Sequence, residues 1–300
     1  MFIGISKAAS YEFTIASMFR DEAPYLKEWI EYHRMVGAEH FWLYDNFSED
    51  NWREVVAPYI EEGLVEVIAW PARDTTIEKS GRPTSLGVRD RIQPQAMQDA
   101  LRRAKGVAKW LAFIDMDEFF LPKKEKTVTE CLNTHFSDAS AVFVSWRNFG
   151  TNNMYIPSGA PTLCKLTACA VKEHSKNTNG KTIWRPEKVD IDSIWWVHTA
   201  NPNSEGRYVN GSGGDVIYDP NKAGWSWKVE EDHMCLNHYF CRDENFFHNR
   251  RMALRGESSY SVEVLWAYHH DFSMEQNVSM KDFIQTQHPD MYEKFWKEKD

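Results

Sequence analysis

Five apolar residues, Trp110-Leu111-Ala112-Phe113-Ile114, stand between Lys109 and the acidic run Asp115-Met116-Asp117-Glu118. So short an apolar stretch between charges predicts a buried central strand rather than a helix. Ligands in open α/β sheets collect beyond strand carboxyl ends, which is where the two aspartates fall. Extended chain puts residues i and i+2 on one face, so Asp115 and Asp117 are expected to point the same way. Two carboxylates on one face repel unless a cation lies between them, and hard oxygen donors suit Mg²⁺ or Mn²⁺. The natural bridging ligand for such a cation is a diphosphate. Taken alone the Asp-x-Asp spacing is weak, because aspartates at strand ends often only cap the next helix.

The flanking sequence alternates strand and helix from Tyr11 to about Trp146, the pattern of a mostly parallel sheet covered on both faces. Residues 11–19 open as a strand. Asp21 can cap a helix that carries Pro24 in its first turn and Leu26, Trp29, Ile30 and His33 at helical spacing. His40–Tyr44 and Leu64–Trp70 read as the next strands, with a helix through Ala57 between them. A longer helix is expected from Pro94 to about Lys105, leading into the aspartate strand. Beyond Trp146 the chain loosens into Gly, Asn and Pro, so residues 147–225 predict short strands and long loops. Segments 243–255 and 279–298 look helical, the last with Met291, Phe295 and Trp296 along one side. With no Pro/Ser-rich linker, the economical organisation is one catalytic domain over 1–275 and a helical tail over 276–300.

Composition removes several classes of function. Thirty-five basic against 44 acidic residues give a net charge of −9, which leaves no cationic excess for nucleic acid. Arg102-Arg103 and Lys123-Lys124 read as solvated surface. The longest apolar runs have about five residues against the roughly twenty needed to span a bilayer, so no transmembrane segment is expected in this chain. Without a signal pattern at the amino terminus, the expectation is a cytoplasmic protein, or a catalytic domain excised from an anchor and working in the Golgi lumen. Five cysteines without CxxC spacing favour reduced thiols over a disulfide framework or zinc site. Asn-x-Ser sequons at Asn46, Asn210 and Asn277 matter only in a secretory compartment.

The block from Ser17 through Arg20, Asp21, Glu22, Glu28, Trp29, His33 and Gly37 to Tyr44, Asp45, Asn46 and Asp50 resembles the opening of glycosyltransferase family 92 and its bacterial relatives. Gln95–Asp99, Trp110–Phe119, Trp146–Gly150, Lys181–Pro186, Val197-His198 and His238-Tyr239 resemble later family blocks, in order, over about residues 11–260. The resemblance implies a GT-A (Rossmann-like) α/β fold, a nucleotide-sugar donor, a divalent metal and inversion at the anomeric carbon. Residues 11–120 are then the nucleotide-sugar half and 121–275 the acceptor half.

Within that frame Arg20, Asp21, Glu22, Asp45 and Asn46 are placed to touch uracil and ribose, since the first strands end near the base. As helix cap and turn formers, Asp21 and Asp45-Asn46 would need no ligand. Arg89 and Arg91 are candidates for the diphosphate, Gln95 for the donor site, Lys181 and Arg185 for stabilising the departing diphosphate, and His198 for diphosphate or acceptor. Asp117 is the expected metal ligand, with Asp115 on the ribose or the metal through water; Glu118 instead orders the loop. The resemblance implies a histidine from the carboxy-terminal side as a further metal ligand, and His238 matches it. Inversion needs a carboxylate to take the acceptor proton, and Asp232, sharing the face of His238 in an extended segment, is the candidate, with Asp215 and Glu257 open. Among six tryptophans in this half, Trp146, Trp184, Trp195, Trp196, Trp225 and Trp227, sugar stacking favours Trp146 and Trp225, joined by Phe149 and Gly150 of the aromatic-glycine loop.

The expected activity is metal-dependent inverting transfer from a UDP-sugar to a glycan or other hydroxyl acceptor, with Mn²⁺ or Mg²⁺ as cofactor. UDP-galactose is favoured as the family's best-known donor, with UDP-glucose and UDP-xylose as rivals. A catalytically silent glycan-binding relative keeps the fold and aromatics, but the intact Asp115/Asp117 pair argues against it. An Asp-dependent phosphohydrolase also places Asp-x-Asp after an apolar strand, but after the first strand rather than the fourth.

Overall fold

The computed structural model describes residues 11–70, 86–194, 198, 206–217, 225–253 and 260–298. The first half comprises β1 (Tyr11–Phe19), α1 (Ala23–Met35), β2 (His40–Asp45), α2 (Trp52–Glu61), β3 (Val65–Ala69), α3 (Leu86–Ala104) and β4 (Ala108–Phe113). There follow β5 (Glu118–Pro122), α4 (Val128–His135), β6 (Ala141–Asn148), β7 (Ala168–Cys169), β8 (Gly180–Trp184), β9 (Tyr208–Asn210) and β10 (Met234–His238). The carboxy-terminal part holds α5 (Glu244–Phe246), a π-helical turn Phe247–Arg251, α6 (Val262–Asp271), β11 (Glu275–Gln276), α7 (Ser279–Gln287) and α8 (Pro289–Met291), closed by a second π-helical turn Tyr292–Trp296.

The main sheet runs β3-β2-β1-β4-β8-β6-β10-β5, with β9 beside β6. Its β3-β2-β1-β4 portion is parallel, so the ends of β1, β2 and β4 share one edge. From β8 onward the pairing alternates: β8 is antiparallel to β4 and β6, β10 is parallel to β6, and β5 is antiparallel to β10. The expected α/β architecture is present, but the sheet is mixed, and only its β3-β2-β1-β4 portion is the parallel sheet that strand-helix alternation predicts.

Strand period explains the two-sided core. Phe13 and Ile15 of β1 and their register partners Trp110 and Ala112 of β4 pack with Trp29 and Ile30 of α1 on one face. The alternate positions Ala16, Leu111 and Phe113 pack with Met97, Ala100 and Leu101 of α3 on the other. Met280, Phe283, Ile284 and Trp296 of the tail join the first core, with Met291 and Phe295 against it, as their spacing predicts.

Several local expectations are corrected. Helix α3 begins at Leu86 and contains Pro94 rather than starting at it. Asp21 does not cap α1: it has a left-handed φ of 53°, and the Ala23 N–H is accepted by Asp50 Oδ2 at 2.7 Å. Helix α6, capped by Ser261, was not expected at all. All five cysteines are free thiols. Among the described residues no helix is long and apolar enough to cross a membrane.

Candidate active site

Where β4 ends, Asp115 to Glu118 form a turn instead of continuing the strand, the Glu118 N–H bonding back to the Asp115 carbonyl at 3.1 Å. The two aspartates therefore do not share a face. Asp115 turns toward β8, where Lys181 Nζ meets its Oδ2 at 2.7 Å, while Gln93 Nε2 of α3 donates to its Oδ1 at 2.9 Å. Asp117 turns toward β10 and the π-helical turn after α5. There Arg251 Nη2 donates to its Oδ2 at 3.1 Å, and His238 Nε2 lies 3.7 Å from its Oδ1.

Glu118 is the internal tie of this turn. Its Oε2 accepts the Asp115 backbone N–H at 2.8 Å and its Oε1 accepts the Trp146 indole N–H at 2.7 Å, with Lys181 Nζ 3.5 Å away. It orders the loop as expected. Burial pushes its carboxyl up to about 8, opposed by Lys181 and reinforced by Asp115 and Asp117. The buried Lys181 ammonium is nevertheless held above its ordinary range: desolvation lowers it, and the carboxylates of Asp115 and Glu118 more than offset that. Burial drives His238 down to about 4, against the pull of Asp117, so its imidazole is neutral at neutral pH.

Register places these groups. His238 ends β10 opposite Glu118 of β5 and beside Asn148 of β6. The Tyr239 N–H donates to the Asp117 carbonyl at 2.8 Å, and the Trp29 indole of α1 donates to the Asp115 carbonyl at 3.1 Å. The aspartate turn is thus pinned through its backbone carbonyls from both flanks, by the residue that follows β10 and by a side chain of α1.

A second charged group lies at the end of β1. Glu22 pairs with Arg242 Nη1 at 2.8 Å and with Arg250 Nη2 at 3.3 Å. Arg250 also donates to the carbonyls of Arg20 and Asp21, and Arg20 lies 3.9 Å from the Asp21 carboxylate. Asp21 Oδ1 accepts the Glu49 N–H at 2.6 Å, Asp45 Oδ1 accepts the Ser48 N–H at 2.9 Å, and Asn46 Nδ2 donates to the Trp70 carbonyl at 3.0 Å. Asp45 and Asn46 are occupied as turn formers on the donor edge. Gln95 is exposed on α3, and Gln93 is the residue of that helix that reaches Asp115. The side chains of Arg89 and Arg91 lie outside the described residues, as do Trp195, Trp196, Val197 and Glu257.

His198 Nδ1 donates to the Gly180 carbonyl at 2.8 Å, the ring lies edge-on to Trp146 at 5.4 Å, and burial lowers it to about 3. Arg185 is at the far end of β8 from Lys181, over the Trp110 ring. Three acceptor candidates are structural. Trp146 is 9% exposed and packs on His238 at 4.2 Å. Phe149 is fully buried and stacked on Tyr239. Gly150 has no room for a side chain, because an added Cβ would meet the Phe272 carbonyl at 2.6 Å. Trp225 is half-buried under Lys176, and its neighbour Trp227 is 60% exposed.

Asp232 is not brought to the cleft. It lies exposed before β10 begins, its N–H on Ser212 Oγ, while His238 closes the strand. Residues Met234 to His238 alone span about 13 Å at 3.3 Å per residue. Asp215 is likewise exposed, on the turn after β9. Arg251, Arg242, Arg250, Gln93 and Asn148 went unassigned in the sequence because each pairs across many residues and leaves no local spacing.

A parallel β3-β2-β1-β4 half ending in an acidic turn, faced by Lys181 and His238 from a mixed second half, defines an α/β protein whose charged groups gather beyond the carboxyl ends of its parallel strands. The glycosyltransferase family 92 profile matches residues 10–275, and the chain belongs to that family. A glycosyltransferase family 92 protein of Ricinus communis is 24% identical over 284 residues, 93% of this chain and 42% of its own length. One of Arabidopsis thaliana is 30% identical over 195 residues, 63% of this chain and 31% of its own length. The chain therefore spans less than half the length of these relatives. Among solved structures, Staphylococcus aureus TarS residues 1–349 is similar at 12% identity and a TM-score of 0.41, covering 94% of this chain and 74% of that fragment.

Proposed function

We propose that this chain is the catalytic domain of a metal-dependent inverting glycosyltransferase that takes its sugar from a UDP-sugar, UDP-galactose before UDP-glucose or UDP-xylose. The observation that carries it is the facing of Asp117 Oδ1 and His238 Nε2 at 3.7 Å, beside the buried Lys181–Asp115 pair at the sheet's donor edge. Family membership supports the class of reaction.

Among the described residues no three His, Cys, Asp or Glu side chains converge on one cation position. Asp117 and His238 would hold such an ion, a carboxylate oxygen and a neutral imidazole nitrogen being donors that fit Mn²⁺ or Mg²⁺. Both oxygens of Asp115 are engaged by Gln93 and Lys181, which suits it to the ribose side or to contact through water. When bound, the divalent ion supplies Lewis-acid stabilisation to the departing diphosphate. Arg251 holds Asp117 Oδ2 so that Oδ1 faces His238, and Lys181 keeps the Asp115 charge compensated inside the protein. Glu118 is buried with both oxygens engaged, so it does not serve as the acceptor's base. A glycan acceptor fits the Trp225–Trp227 side of the second half, where an exposed indole offers a flat face.

Calorimetric titration of UDP-sugars with and without Mn²⁺ tests this. Binding that needs Mn²⁺ and collapses in Asp117→Ala is expected. Undiminished affinity in chelator sinks the metal bridge, and binding of free glycans but of no nucleotide sugar identifies a glycan-binding relative instead.

A further inference from the structure

A line of buried amides runs from the interior to the back of His238. Asn177, in the 3-10 turn Ser175–Thr178, is fully buried, and its Nδ2 donates to the carbonyls of Val171 at 3.0 Å and Lys172 at 3.2 Å. A carbonyl only accepts, so this end of the amide is its nitrogen. Asn177 Oδ1 then faces the other way, accepting the Asn148 backbone N–H at 3.0 Å and Asn148 Nδ2 at 2.8 Å. A backbone N–H only donates, which fixes the same orientation a second time.

With its nitrogen committed to Asn177, Asn148 turns Oδ1 toward His238 and accepts from Nδ1 at 2.9 Å. The orientation set at the Val171 and Lys172 carbonyls passes through two amides to the imidazole without a free choice at any step. Nδ1 carries the proton, and the neutral ring has its lone pair on Nε2. That lone pair faces Asp117 Oδ1 at 3.7 Å, and Nε2 makes no hydrogen bond to a described residue. The carboxylate alone would favour the other tautomer, with an Nε2–H turned toward it. The relay therefore imposes the one arrangement in which two electron-rich atoms confront each other, and a cation between them resolves that conflict.

We propose that Asn177 and Asn148 are positioning residues that lock His238 in its Nδ1–H tautomer, presenting Nε2 toward Asp117 as a ligand for a divalent cation rather than as a hydrogen-bond donor. The ligand role rests on the metal-dependent reading above; the tautomer lock rests on the hydrogen bonds alone.

The test is two-bond ¹H–¹⁵N correlation NMR on the intact, metal-free chain labelled with ¹⁵N-histidine, the His238 signals assigned by their loss in His238→Gln. The wild-type ring is expected as Nδ1–H, and a dominant Nε2–H ring overturns the lock without needing any relay variant to fold. Asn148→Ala should move the ring to Nε2–H and Asn177→Ala should give a mixture; an unchanged tautomer in both folded variants overturns the relay. Electron paramagnetic resonance of free Mn²⁺, with UDP present, should show affinity about 10–100-fold weaker in both variants. A locked wild-type ring in a protein without Mn²⁺ affinity overturns the ligand role and the metal reading while the lock stands. Tight Mn²⁺ binding with an Nε2–H ring does the reverse.

Discussion

Lys181 and Asp115 meet at 2.7 Å with the ammonium wholly buried and the carboxylate 36% exposed. The lysine thus has no access to water and depends on Asp115 and Glu118 for compensation, while Asp115 remains open on one side to the cleft. Lys181→Met should leave the Asp115 carboxylate without its cation at the turn. Breaking a fully buried pair by removing one partner costs about 3–5 kcal/mol, and because Asp115 is 36% exposed the expected loss is about 1–3 kcal/mol, which urea denaturation would read directly. A loss under about 1 kcal/mol would show that Asp115 and Glu118 rearrange freely, against the fixed turn described here.

The pH dependence of stability should have two arms with different owners. Burial holds His198 near 3 and His238 near 4 against an ordinary 6.5, so below pH 6.5 the unfolded chain binds more protons and stability is lost as pH falls. Glu118 works in the opposite sense: raised from 4.5 to about 8, it contributes stability at low pH that is lost as pH rises through 8. Between pH 6.5 and 8 only the Glu118 arm remains of these three, so stability should fall there. Urea midpoints across this range should show the decline in wild type and a flatter profile in Glu118→Gln, whatever the variant's absolute stability.

The donor half was legible because its apolar runs are short, bounded by turn residues and phased to two faces, as Phe13 and Ile15 against Ala16 show. Lys181, His238 and Asp117 were legible through ordered family blocks. The divergence of Asp115 and Asp117 was not, because the strand period was carried one turn too far: Glu118 caps the Asp115 N–H and ends the extended chain. Placing Pro94 at a helix start instead of inside α3 hid Gln93, one residue upstream, in favour of the exposed Gln95. Arg251 meets Asp117 across 134 residues, a pairing that no local spacing encodes.

Arg251 should be a positioning group that conservative exchange does not rescue. Its Nε and Nη2 reach the Phe240 carbonyl at 3.0 and 2.7 Å while Nη2 also reaches Asp117, a fork that needs a planar guanidinium. Arg251→Lys and Arg251→Met should both weaken Mn²⁺-dependent UDP binding, by about 10-fold or more, with calorimetry as the measure. Full affinity in Arg251→Lys would mean that charge alone suffices and that Asp117 needs no orientation.

The tail's anchor should separate stability from donor binding. Glu28 is buried with no cation beside it among the described residues, and its oxygens accept from Thr162, from the Leu163 N–H at 3.0 Å and from the Trp296 indole at 2.8 Å. Burial raises the Glu28 carboxyl although each of these bonds lowers it, so losing a donor makes an already strained charge harder to keep. Trp296→Phe removes one hydrogen bond and keeps an aromatic ring in the core, at a cost of about 1–3 kcal/mol. Trp296→Ala adds a cavity and should cost about 3–5 kcal/mol. The neighbouring Trp29 donates independently to the Asp115 carbonyl, so the folded Trp296→Phe protein should bind UDP-sugar as wild type does. A collapse of affinity at unchanged stability would show instead that α1 transmits the tail's seating to the aspartate turn.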